Sequence, residues 1–292
     1  MLPKTRNYRG EMISSFIFLL ACGFLGWQLL PSLLRAQQNK PPTEVVKALK
    51  ANDLVKVRHI YDEILTKNKQ SPETFLNICV WSQQAQQWAL TEEYAERAAQ
   101  TCKNAPANQR AMIYVIMATA LSETETACPQ RKAIEAAERA LQVAPNLAEA
   151  QNALGYILAD NGVELPRAEK LIVQALAEAK TEPDSESKQL DLAGIEDSYG
   201  WVLYKTGRYD QAIDTLNHAI SCLPEGAEKI PEIRAELKTM QYHLGAAYHK
   251  DGLTANARHA LEISLFYDPN YQLAKQELAA MEAESKSKLG TH

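Results

Sequence analysis

The sequence predicts an all-α protein: an α-solenoid of stacked helix–turn–helix units, preceded by one transmembrane helix. Three observations predict it. From Thr43 onward the apolar residues recur with helical period and no alternating strand pattern occurs. Glycine and alanine return at matching places in three segments, and proline in two of them. Residues Met12 to Leu30 carry no charge. Glycine and proline are sparse (12 and 13 of 292), which excludes collagen-like and low-complexity chains.

Residues 1–11 form a short basic N-terminus. The run from Met12 to Leu30 spans roughly 28 Å as a helix, close to a bilayer's hydrocarbon thickness. Its apolar residues cover the whole circumference, Trp27 lies near its end, and Pro31 and Arg35 mark the exit. The reading is an anchor over 12–34, with the N-terminus cytoplasmic and the following body outside the cytoplasm, periplasmic or lumenal. A cleaved secretory signal competes with it. So does a lipidated one, because Leu19-Leu20-Ala21-Cys22 is similar to a lipobox, although the chain stays apolar from Gly23 to Leu34. Residues 35–42 are a polar linker with two prolines.

The clearest unit runs from Asp197 to Pro224, with Gly200, Gly207, Ala212, Ala219 and Pro224 at set intervals. Leu244-Gly245, Gly252, Ala257 and Pro269 repeat the grammar, as do Leu154-Gly155, Gly162 and Ala168. Gly155, Gly200 and Gly245 allow a partner helix to approach closely. Gly162, Gly207 and Gly252 end the first helix of each unit in a left-handed conformation. Ala168, Ala212 and Ala257 are small where the two helices cross, and the prolines stop the second helix. This pattern resembles the tetratricopeptide repeat (TPR), a 34-residue helix–turn–helix unit that buries its apolar face only by stacking on neighbours. Weaker copies extend it backwards. The organisation expected is a degenerate first repeat at 43–71, five TPR-like repeats over 72–271 and a capping helix at 272–286. Polar insertions fall near 181–192 and 227–237, and a tail follows at 287–292.

The resemblance implies that the first helix of each unit lines a concave groove. The candidate partner-binding residues there are Asn152, Tyr156, Asp197, Trp201, Tyr204, Lys205, Tyr242 and His249. Asp160, Ala246 and Lys250 accompany them, with Asn77, Val80, Gln84, Val115 and Thr119 from earlier units. Tyr156, Trp201, Tyr204 and Tyr242 would form an aromatic row of the kind that supplies binding hot spots, or would pack between helices. Chaperone-binding members of the family hold a terminal carboxylate with a clamp of lysine, asparagine and arginine. Asp197 stands where that clamp needs a cation, so a neutral, partly aromatic peptide or a helix is the expected ligand.

Beyond residue 40 the chain carries 26 basic and 35 acidic residues. An acidic body without a basic stripe argues against nucleic acid as a partner. No catalytic residue, cofactor or metal is expected. HExxH, P-loop, GxSxG and dinucleotide fingerprints are missing from the sequence. His243 and His249 are six apart rather than four, and Cys79, Cys102, Cys128 and Cys222 include no CxxC. The expected function is a membrane-anchored scaffold or adaptor that assembles or maintains a membrane or envelope complex. A secreted or lipidated pilot protein and a permanent accessory subunit are the alternatives, and self-association is open.

Overall fold

A computed structural model describes residues 41–124, 130–181, 186–223, 226, 228 and 231–289. Among these, thirteen α-helices account for the ordered structure and no strand occurs. They are α1 Thr43–Lys50, α2 Leu54–Lys67, α3 Pro72–Gln84, α4 Trp88–Thr101, α5 Ala107–Thr124, α6 Arg131–Val143 and α7 Ala148–Asp160. The chain continues through α8 Leu165–Thr181, α9 Glu186–Lys205, α10 Tyr209–Ser221, α11 Pro231–Lys250, α12 Thr254–Tyr267 and α13 Gln272–Leu289. Each odd helix up to α11 forms a hairpin with the even helix that follows, and α13 closes the array on α12 and α11.

The three glycines inside odd helices explain the tightness of these hairpins. A Cβ built on Gly155 would stand 2.6 Å from Cγ1 of Ile172, one on Gly200 2.6 Å from Cγ of Leu216, and one on Gly245 2.7 Å from Cγ of Leu261. Those leucine and isoleucine side chains are fully buried against the missing Cβ, so any larger residue forces the hairpin apart. At the bend between the paired helices, Gly162, Gly207 and Gly252 have φ of +66°, +79° and +82°. The earlier hairpins lack that glycine, yet Asn52 and Gln86 take the same left-handed conformation, at φ of 53° and 54°. Glycine would avoid a steric cost of about 1–2 kcal/mol there. The bend is therefore imposed by hairpin packing rather than by the turn residue.

Local signals set several helix starts. Asp53 caps α2 by accepting from the Lys56 amide at 3.0 Å. Ser71 caps α3 through the Thr74 amide, and Pro72 takes the first position, where its lacking N–H costs nothing. Helix α11 begins at Pro231. Helix α9 begins at Glu186, inside the segment read as a polar insertion. Leu190 and Ala193 are buried there, so a helical face with apolar anchors starts within what composition presents as a polar spacer.

The odd helices α3, α5, α7, α9, α11 and α13 each pack on the next odd helix and form a continuous inner layer. The even helices pack on the odd ones and stand further apart from one another. Long ion pairs bridge them: Arg97 to Asp62 at 2.8 Å, Arg208 to Glu169 at 2.7 Å and both guanidinium nitrogens of Arg167 to Glu138. These pairs are partly solvated and contribute little to stability. A layer that is tight on one side and spread on the other curves, with the odd helices on the concave face.

The localisation expected from the sequence is corrected. Among the described residues no helix is long and apolar enough to cross a membrane. The segment 12–34 that carried the expectation of a single-pass anchor lies outside the described residues. Cys128 lies outside them too; Cys79 and Cys102 are buried free thiols and Cys222 is a half-buried one.

Candidate functional site: the concave cavity

The concave face encloses an open cavity of about 470 Å³. Its walls come from places far apart in sequence. Gln86 and Trp88 stand at one end of the chain's order and Asp268, Asn270 and Tyr271 at the other. Between them are Thr119, Ser122 and Glu123 of α5, Tyr156 and Asp160 of α7, and Lys238, Tyr242 and His243 of α11. The array therefore winds far enough for the turn before α13 to face the turn before α4.

Aromatic rings and charges share this cavity. Tyr242 meets Tyr271 edge-on at 5.7 Å. Lys238 lies over the Tyr271 ring at 4.6 Å and reaches Asp268 at 3.9 Å. Glu123, Asp160 and Asp268 bring three carboxylates to the lining, against Lys238 as the lining's lysine. Crowding by the walls raises the Glu123 carboxyl above the usual carboxylate range; Lys238 opposes the rise and Asp160 reinforces it. Three carboxylates against one lysine give the lining an acidic balance.

The eight candidate residues separate into distinct environments. Tyr156 and Tyr242 are half-buried and line the cavity. Trp201 is 3% exposed and sits behind them, stacked on His243 at 4.1 Å and on Tyr204 at 4.6 Å. Its Nε1 donates to Asp160 Oδ1 at 3.1 Å. Lys205 donates to the Asp160 carbonyl at 2.8 Å and lies 4.8 Å from the Trp201 ring centre. Tyr204 is half-buried and desolvation pushes its phenol up to about 12. Asp197 is fully buried; its Oδ2 accepts from His243 Nδ1 at 2.8 Å while Oδ1 has no partner. Asn152 is buried, with both amide atoms unpaired. His249 is held away from the cavity by Glu277 at 2.6 Å and Glu284 at 3.3 Å, which tie α11 to α13. Of the accompanying residues, Thr119 and Asp160 line the cavity, whereas Asn77, Val80, Val115 and Ala246 are buried in the packing.

Reading the repeats missed Glu123, Lys238, Tyr271, Asp268 and Trp88. Only Lys238 carried a usable signal: it precedes Tyr242 by four residues, one turn along the same helix face. The others come from a helix end and the turns between units, which the repeat register does not place.

A second acidic group lies inside the wall. Glu236 is fully buried on α11, and neither carboxylate oxygen has a hydrogen-bond partner. Burial raises its carboxyl well above the usual range, Lys238 opposes this, and Asp197 and Glu123 add to it. The folded chain thus holds a proton that the unfolded chain releases in the ordinary carboxylate range. The stabilisation is complete below that range and is lost as pH rises through the raised folded value. Urea denaturation should show stability falling as pH rises above the ordinary carboxylate range, and Glu236→Gln should flatten that fall while gaining stability at the higher pH.

No known protein family and no curated protein matches the chain. Solved structures do match its fold. PlcR from Bacillus thuringiensis, solved with the peptide PapR7 and DNA, aligns at 15% identity over 85% of this chain and 88% of its own, with a TM-score of 0.53. The apo form of RapI aligns at 14% identity over 81% and 96%, with a TM-score of 0.51. YrrB, described as a TPR protein with an unusual peptide-binding site, aligns at 15% identity over 74% and 96%, with a TM-score of 0.40. The chain has a TPR-like helical repeat fold.

Proposed function

We propose that this protein is a protein–protein interaction scaffold that holds a peptide or helical segment of its partner in the concave cavity, and that the segment presents at least one basic side chain. The observation that carries this reading is the cavity itself. It is an open space walled by Tyr156, Tyr242, Tyr271 and Trp88, with Glu123, Asp160 and Asp268 on its surface. Rings give contact area at low entropy cost, and a cation over a ring beside a carboxylate gains from both. PlcR, similar in fold, is solved with a peptide, which supports the peptide reading. Its DNA is not carried over, because the acidic balance of this chain beyond residue 40 opposes phosphate binding.

The test is a photo-crosslinking side chain placed at Tyr242 in the full chain in its native cells, with the same group at Val55, which is 79% exposed on α2. A partner captured from position 242 and not from 55 is expected. Asp160→Asn should weaken that partner's binding by about tenfold, the scale of one lost charge contact. Equal capture from both positions, or binding unchanged in the Asp160 variant, overturns the reading.

A further inference from the structure

On the hairpin formed by α9 and α10, and outside the residues that line the cavity, three side chains of different chemistry converge. Glu196 comes from α9, and His218 and Cys222 from the last turn of α10 and its cap. One ligand atom from each lies within 4.8 Å of the others. His218 Nδ1 is 2.6 Å from Glu196 Oε2, and Cys222 Sγ is 3.7 Å from both ring nitrogens. His218 and Cys222 are four residues apart, the spacing that puts two ligands on one helix face.

We infer that Glu196, His218 and Cys222 form a binding site for a zinc-class divalent metal ion. Metal–ligand bonds of about 2.0–2.3 Å at a tetrahedral angle separate the ligand atoms by roughly 3.3–3.6 Å. The nitrogen–sulfur distance already matches that spacing. The nitrogen–oxygen distance is that of a hydrogen bond and must open by less than about 1 Å. His218 can supply the movement, since its side chain is 64% exposed, whereas Glu196 is 17% exposed and stays fixed as the anchor. A nitrogen, oxygen and sulfur donor set fits zinc or cobalt and does not fit magnesium or calcium, which take oxygen ligands. On binding, the Cys222 thiol releases its proton to solvent and the thiolate bonds the metal; no electron is transferred. The fourth position faces solvent beside the exposed histidine and is open to water or to a ligand from a partner.

The ion pair between His218 and Glu196 explains two of the three residues without a metal. It does not account for a half-buried thiol directed at the same histidine. A metal ion bonded by all three would use the thiol together with the imidazole and the carboxylate, whose ligand atoms lie within 4.8 Å of one another.

The test uses the full, untagged chain, reduced and stripped of metal, titrated with Co²⁺. One cobalt per chain with a thiolate-to-cobalt charge-transfer band is expected, and Zn²⁺ should displace it. Cys222→Ser should abolish the band. His218→Ala and Glu196→Gln should each weaken binding by at least tenfold, since losing even a group that only supports a ligand costs 10–100-fold. Helical circular dichroism checks that each variant folds. Absence of the band, or a band that survives in Cys222→Ser, overturns the site.

Discussion

His243→Leu should lower the unfolding free energy by about 3–5 kcal/mol, the range for leaving a buried carboxylate without its partner. Asp197 is 0% exposed, and its Oδ1 has no partner even in the native chain. Removing the His243 Nδ1–H strips Oδ2 as well. The whole carboxylate then remains inside the wall between α9 and α11. The doubly substituted Asp197→Leu, His243→Leu chain should be more stable than the sum of the single losses predicts, because it leaves no orphaned charge. Urea denaturation of the four chains measures the coupling. Additive losses would show that the pair is not what joins these two helices.

Trp201→Ala should cost about 3–5 kcal/mol, the range for truncating a large buried aromatic. The indole is stacked between Tyr204 and His243 and hydrogen-bonded to Asp160. Its loss opens a void behind the cavity and frees the Asp160 carboxylate at the lining. Partner binding lost in this variant would therefore report collapse of the wall. Trp201→Phe keeps most of the stack, and Tyr242→Ala truncates a residue at the cavity surface; partner binding in these two separates recognition from folding. A Trp201→Ala chain with an unchanged denaturation midpoint would show that the indole is not part of the packing.

The hairpin glycines were legible in the sequence because each satisfies a hard geometric demand. Gly155, Gly200 and Gly245 each face a branched side chain within 2.6–2.7 Å of the missing Cβ. The aromatic row was legible as a set, since Tyr156, Trp201, Tyr204 and Tyr242 fall on odd helices. Which of its members reach the cavity was not. A helix face that looks inward over one unit is covered when the next odd helix packs on it, as happens to Trp201 and Asp197. The far wall was hidden for another reason. Tyr271 and Asp268 meet Trp88 through the rotation accumulated over many units, and no local pattern encodes that sum. The four-residue spacing of His218 and Cys222 went unread in the sequence, and Glu196 joins them only through the register of α9 against α10.

The principal packing contacts join helices one or two apart in the chain. In such an array cooperativity decays from unit to unit, and each end can unravel without the other. The cavity is the exception, because Gln86 and Trp88 border the same space as Asp268, Asn270 and Tyr271. A segment seated there would act as a clasp, tying the early hairpins to the final turn and making the two ends lose or keep their structure together. Amide hydrogen exchange would record this as slowed opening in α4 and α13 at once. Recognition in this molecule would then be felt as a change in how the whole spiral breathes.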